Sequence, residues 1–289
     1  MLTLSSQAKK EAYMELGKKQ KLVYKRKEEF GIYLTENGND EERVLLPAKQ
    51  VPANAKIGDE IEVFLYKDSK DRLIATTNTP LLTLHETAVL TVKEVGKIGA
   101  FLDWGLEKDL LLPFAEQTVR VKAGDKVLVA LYTDKSDRLA ATMKVYKYLK
   151  QDSSYKKEDH VDGLVYELSD NFGAFVAVDN KYSGLVAKKE LTTNLKVGDR
   201  VKARVISVKE DGKLDLSLRE KAPIQISLDA DTLVKMMKAN GGKLDFSDNA
   251  APELIKEETG MSKNQFKRAV GNLLKSGKIE ILENSIKLK

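Results

Sequence analysis

The side chains able to do covalent chemistry are sparse in this chain of 289 residues. There are two histidines, His85 and His160, both in segments between repeats, and no cysteine. Disulfides, thiolate catalysis and cysteine metal sites are therefore excluded. No P-loop, GxSxG or HExxH motif occurs. Asp68 with Asp71 and Asp134 with Asp137 are the nearest thing to a Mg²⁺ site. They lack further carboxylates and fall in hairpin turns, where aspartate is common for backbone reasons. The chain is expected to be non-catalytic, with no cofactor and no bound metal. What remains is recognition chemistry. Lys263, Asn264, Lys267, Arg268 and Asn272 share one side of a helical pattern. Such a face can enter a groove or lie along phosphates. It can equally be a solvated face, and Glu253, Glu257 and Glu258 dilute its charge.

The elements that would position recognition groups follow from a phrase written three times: Lys56-Ile57-Gly58-Asp59, Lys122-Ala123-Gly124-Asp125 and Lys196-Val197-Gly198-Asp199. The first two glycines are 66 positions apart and the last two 74. A period that long and irregular fits tandem small domains, since solenoid repeats are shorter, roughly 20–50 residues. The third copy is the most legible. Val161–Tyr166, Phe172–Val178 and Ser183–Val186 are strands separated by turn residues. Val201, Ala203 and Val205 alternate with Lys202 and Arg204, the period-two pattern of a half-buried strand. Asp211-Gly212 is a hairpin turn before Leu214, Leu216 and Leu218. Five short strands describe a small antiparallel barrel. Ile98–Leu102 and Phe30–Leu34 stand where Phe172–Val176 stands. The step from Tyr33, Phe101 or Phe175 to the Gly-Asp glycine is 25, 23 or 23 residues.

The third copy, with Gly163, Phe172-Gly173-Ala174-Phe175-Val176, Gly184-Leu185-Val186, Gly198-Asp199 and Leu214-Asp215-Leu216-Ser217, resembles an S1 RNA-binding domain. The resemblance is clearest over residues 158–219, extends to 86–143, and rests on spacing over 20–77. It implies a five-stranded OB fold and exposed aromatics at Phe172 and Phe175, with a basic residue at Lys213. Arg138 and Arg72 occupy the place of Lys213 in the other copies, and Ala187, Pro113 and Pro47 stand where that family usually has histidine. Aromatics suit single-stranded RNA because unpaired bases offer π-faces. Lys202, Arg204 and Lys213 would track phosphates. Tyr33 and Phe101 are the weaker counterparts, and packing inside a barrel is the alternative for all of these rings. For Phe172 and Phe175, three apart, both to reach the surface, the strand must bend or begin at Gly173. Trp104, the only tryptophan, either covers a barrel end, the favoured reading, or stacks on a base.

After Pro223 the period changes to helical. Leu228, Leu233, Met236 and Met237 form a first helix ended by Gly241-Gly242. Pro252 suits the first turn of a second helix that carries Leu254 and Ile255. Ser262 with Gln265 is a capping box for a third, which carries Phe266, Val270, Leu273 and Leu274 and stops at Gly277. Ile279–Ile281 and Ile286–Leu288 read as a hairpin, which completes a winged helix-turn-helix. Three S1-like barrels and a winged helix together, with Pro252–Lys256 and Met261–Gly271, resemble the bacterial conserved virulence factor B family. Ala251 stands in place of its usual serine. Membership implies RNA binding shared by the third S1 domain and the winged helix, and regulation of gene expression, including virulence.

The expected fold is mainly β with a C-terminal α/β module. Expected domains are residues 1–79, 80–150 and 151–222 as barrels and 223–289 as the winged helix. Net charge is +5, which permits nucleic-acid binding without requiring it. No apolar run approaches the roughly 18 residues of a membrane span, and the N-terminus lacks a signal-peptide core, so a cytoplasmic protein without membrane association is expected. The expected partner is single-stranded RNA, bound through Phe172, Phe175, Lys202, Arg204, Lys213, Lys263, Lys267, Arg268, Tyr33 and Phe101. The alternatives are a duplex DNA regulator that uses the winged helix, or a ribosome-associated adaptor.

Overall fold

The structure is a computed structural model and describes residues 14–36, 42–191, 194–220 and 222–289. The chain divides after Leu218 into two compact units.

Three five-stranded units make up the first. In barrel 1, β1 (Lys19–Glu28), β2 (Gly31–Thr35), β3 (Arg43–Pro47), β4 (Glu60–Lys67) and β5 (Leu73–Thr76) close in the order β1-β2-β3-β5-β4. Barrel 3 repeats this with β11 (His160–Ser169), β12 (Gly173–Val178), β13 (Tyr182–Ala187), β14 (Arg200–Val208) and β15 (Leu214–Ser217). Its closing parallel ladder pairs Gly184, Leu185 and Val186 with Leu214, Asp215 and Leu216. Barrel 2 has β6 (Thr87–Val95), β7 (Gly99–Asp103), β8 (Leu110–Pro113), β9 (Lys126–Thr133) and β10 (Leu139–Thr142). Its order, β10-β9-β6-β7-β8, leaves the closing edge without a ladder, so this copy is a nearly closed barrel.

The Lys-x-Gly-Asp phrase has one structural job in all three. The aspartate carboxylate accepts a hydrogen bond from the backbone N–H of the lysine, at 2.8, 2.9 and 2.7 Å in chain order. The glycine takes φ of 96°, 89° and 97°, a region only glycine enters cheaply. Its N–H donates at 2.8 Å to the carbonyl of Tyr24, Val92 or Val165. A β-bulge in the first strand follows immediately, between Tyr24 and Arg26, Val92 and Glu94, and Val165 and Glu167. The phrase thereby pins the residue before the bulge, and the bulge sets which residue faces the central aromatic.

Barrels 1 and 2 meet at Trp104. It is 2% exposed, lies edge-on to Phe64 and Tyr66 at 5.8 and 6.5 Å, and donates Nε1–H to the Lys108 carbonyl at 2.6 Å. The indole therefore seals a junction, and no face is open to a base. Barrels 2 and 3 meet through outward-facing apolar residues of strands that are apolar on both sides. On β9, Val127, Val129 and Leu131 fill barrel 2, while Leu128 and Ala130 join Leu164, Tyr166 and Ala177 of barrel 3. Val145 and Leu149, at the ends of a short 3-10 turn between the barrels, complete this cluster.

The second unit has α1 (Ala222–Ala239), β16 (Lys243–Leu244), α2 (Pro252–Thr259), α3 (Lys263–Lys275), β17 (Ile279–Ile281) and β18 (Ile286–Leu288). Pro252 opens α2, the Ser262–Gln265 capping box opens α3, and Gly260 ends α2 in a left-handed conformation. Leu233, Met237, Ile255, Phe266, Val270, Leu273, Ile279 and Ile286 form the core. Leu228, Leu254 and Leu274 share the helical spacing but lie on exposed faces. The sheet gains a strand that the sequence reading lacked, since β16 is two residues long and pairs with β18. The result is the winged helix.

Candidate nucleic-acid interface

A concavity lined by three aromatic rings lies at barrel 3. It begins with backbone geometry at Gly173, whose φ is +121° and whose hypothetical Cβ would come within 2.2 Å of the Val186 carbonyl oxygen. The strand starts there, so Phe172 lies just outside it and points to solvent, 62% exposed. The Phe172 carbonyl accepts from the Lys188 N–H at 2.9 Å, which fixes the approach. Phe175, two residues into β12, is half-buried. The two rings lie 6.4 Å apart. Of the two ways for both rings to reach the surface, the structure shows the strand edge at Gly173, and the two aromatics stand side by side there.

A third ring reaches the same place from outside the barrel. Tyr146, on the 3-10 turn Val145–Tyr148, meets Phe175 edge-on at 6.2 Å. Val145 is fully buried, which anchors the turn and leaves Tyr146 half in solvent. Behind Phe175 stands Tyr166, at 6.2 Å, whose phenol burial pushes up. Tyr146, Phe172, Phe175 and Leu185, with Glu167, Lys209, Asp211 and Lys213, line a cleft of about 430 Å³. Lys213 Nζ lies 5.7 Å from the Tyr146 ring centre and 2.7 Å from Asp211. Hydrogen bonds to Asp211 and then Tyr146 hold its ammonium above the ordinary lysine range. Lys209 pairs with Asp215 at 3.2 Å. Flat π-faces beside cations are suited to stacking and phosphate contact. Among the described residues, no group of three or more His, Asp or Glu could hold a metal ion. No helix there is long and apolar enough to cross a membrane.

Similarity to known proteins follows the same division of the chain. A model described as the CvfB-like winged helix domain matches residues 231–288, and the S1 domain model matches 16–78 and 86–144. A model described as the second domain of virulence regulatory factor CvfB matches 145–220. Protein YitL of Bacillus subtilis is 32% identical over 291 residues, 96% of each chain. Conserved virulence factor B of Staphylococcus saprophyticus is 29% identical over 242 residues, 81% of each chain. The chain belongs to the conserved virulence factor B family. A crystal structure of a multidomain protein with nucleic acid binding domains from Streptococcus pneumoniae aligns with a TM-score of 0.48 and 25% identity, covering 95% of this chain and 98% of that one.

In this member of the conserved virulence factor B family, the residues expected to contact RNA do not all converge. Phe172, Phe175 and Lys213 line the barrel 3 cleft. Lys202 does not: it pairs across the sheet with Asp162, near the other end of β11 from Glu167, and forms an ion pair with it at 2.9 Å. Arg204 is 14% exposed in its side chain and holds Glu158 at 3.1 Å, so its role is to tie β14 to the chain before β11. Tyr33 in barrel 1 lies under two guanidiniums, Arg43 at 4.9 Å and Arg26 at 5.6 Å. Phe101 is half-buried, and the exposed neighbour beside it is aliphatic, Ile98. In the C-terminal unit, Lys267 and Arg268 are exposed on α3. Lys263 is turned to the carbonyls of Ala250 and Asn249, at 2.9 and 3.4 Å. Tyr146 was missed. Its only sequence signal is the alternation of aromatic and basic residues in Tyr146-Lys147-Tyr148.

Proposed function

We propose that the chain is a non-catalytic regulator that binds single-stranded RNA through the barrel 3 cleft, assisted by Lys267 and Arg268 on α3, and so modulates gene expression in the cytoplasm. One observation carries this: Tyr146, Phe172 and Phe175 crowd around a cleft that has two lysines in its lining. Unpaired bases stack on such rings for roughly 1–3 kcal/mol each, and duplexes keep those faces hidden. Relatives named for virulence support a regulatory role. The test is anisotropy of labelled single-stranded RNA at fixed salt with the full chain. Phe172→Ala combined with Phe175→Ala removes most of the binding. Unchanged affinity in that double variant sinks the reading.

The exposed basic pair on α3 supports a second reading, duplex DNA recognition by the winged helix. Competition decides between them: single-stranded RNA displaces labelled duplex under the first reading and fails to under the second. A ribosome-associated adaptor would instead keep its partner after nuclease treatment.

A further inference from the structure

The register at the bulge puts a different residue beside the central aromatic in each barrel. Across from Tyr33 is Arg26, across from Phe101 is Glu94, and across from Phe175 is Glu167. Directly paired residues on antiparallel strands share a face, so Glu167 stands beside the Phe175 ring, and it lines the cleft. The two lysines of that lining are already matched to carboxylates, Lys213 to Asp211 and Lys209 to Asp215. Glu167 is exposed, and among the described residues no cation lies within ion-pair distance of it.

We infer that Glu167 reads the edge of a stacked base and makes the barrel 3 cleft selective for guanine. This rests on the reading of the cleft as a single-stranded RNA site. An ionised glutamate offers two oxygens and only accepts hydrogen bonds. Among the four bases, guanine alone presents two adjacent donors, N1–H and the N2 amino group, on its Watson–Crick edge. These meet a carboxylate as two parallel bonds, the geometry that makes fork-like pairs with carboxylates strong. Adenine and cytosine place a ring-nitrogen acceptor beside their single amino group, so one carboxylate oxygen would face a lone pair. Uracil has one N–H between two carbonyls. The carboxylate also repels phosphate from the same spot, so the base enters the cleft and the backbone stays outside. Sequence readout of single strands on their Watson–Crick edges, with stacking on aromatics, is the usual division of labour in RNA recognition.

The experiment measures binding of short oligouridine strands carrying one central guanosine, inosine, adenosine or cytidine to the full chain and to Glu167→Gln. In the unmodified protein the guanosine strand binds about tenfold more tightly than plain oligouridine, in line with the discrimination given by bidentate base contacts. The inosine strand, which lacks the N2 amino group, loses most of that advantage with the protein untouched. Glu167→Gln brings the guanosine strand to within about threefold of oligouridine, and oligouridine binds as before or more tightly because a negative charge is gone. Equal affinity for all strands in the unmodified protein overturns the inference, as does a guanosine preference that survives Glu167→Gln. If oligouridine binding depends on Phe172 and Phe175 but shows no base preference, the guanine inference alone falls. If no strand binds, both it and the RNA reading of the cleft fall.

Discussion

Barrel 1 and barrel 3 are the same scaffold with opposite charge at one position. Both close through a parallel ladder between their third and fifth strands. In both, a glycine at the start of the second strand leaves an exposed phenylalanine outside it, Phe30 at 73% and Phe172 at 62%. Barrel 3 then has Glu167 across from a ring that borders an open cleft. Barrel 1 has Arg26 across from Tyr33, and Arg26 and Arg43 lie over that ring. A guanidinium stacked on an aromatic occupies the surface a base would need, while its N–H edge still suits phosphate. The fold thus places equivalent rings at one position, and the residue paired with that ring after the bulge gives the position its charge.

The bulge residue itself differs too, and this difference has the largest expected effect. Tyr166 is the extra residue in barrel 3 and is 4% exposed in the contact with barrel 2. Barrels 1 and 2 have Lys25 and Lys93 at that place, both exposed. Tyr166→Lys should destabilise the first unit by about 3 kcal/mol, through lost aromatic packing and a charge forced toward an apolar contact. Chemical denaturation followed by circular dichroism checks this, and a loss below about 0.5 kcal/mol would mean the contact is not maintained in solution.

Next in size is the aromatic pair. Phe172→Ala with Phe175→Ala should raise the Kd for single-stranded RNA by about 30- to 100-fold, from two lost stacking platforms. The matching pair in barrel 1, Phe30→Ala with Tyr33→Ala, should change it by less than about threefold, since Tyr33 is already covered. Equal losses would erase the distinction between the barrels. Tyr146→Ala should fall between, at about fivefold. Glu167→Arg makes barrel 3 resemble barrel 1: it should steepen the salt dependence of binding by about one unit of log–log slope.

Much of this contrast was legible in the sequence, and the missing parts share a cause. The five strands, the strand edge at Gly173 and the capping box at Ser262 follow from local patterns, because each is set by residues within a few positions of one another. The closing ladder absent from barrel 2 depends on the edges of two short strands far apart in sequence. Arg204 reads as a free cation until Glu158, 46 residues away, is brought beside it. Tyr146 enters the cleft because Val145 and Leu149 dock between two barrels, a contact that no strand pattern announces. Trp104 is covered by Phe64 and Tyr66 of barrel 1, a contact that its own sequence neighbours do not announce. Local patterns placed the strands and the aromatics of barrel 3, and contacts over long sequence distances determined which side chains border its cleft.

The smallest predicted effect concerns a feature on which the barrels should agree. Each has an aspartate that holds its last hairpin by hydrogen bonds. Asp68 accepts from the N–H groups of Lys70 and Arg72 at 2.8 and 3.0 Å, and Asp134 from those of Ser136 and Arg138 at 2.8 and 3.0 Å. Asp211 accepts from the Lys213 N–H at 3.2 Å and its ammonium at 2.7 Å. Burial alone would raise the carboxyls of Asp68 and Asp134, but these hydrogen bonds and the nearby Arg72 or Arg138 outweigh it and hold both below the ordinary aspartate range. The Lys213 ammonium does the same for Asp211. A carboxyl depressed in the folded state stabilises that state above its unfolded value, about 3.9, and the contribution is lost as pH falls through the folded value. Carboxyl-detected NMR titration should therefore find all three aspartates ionised below pH 3.9, and unfolding free energy should drop with acid over that window. Asp68→Asn and Asp211→Asn should each flatten that drop by a similar small amount. If only one does, the hairpins are not equivalent, and barrels 1 and 3 differ in scaffold as well as in the residue at the bulge.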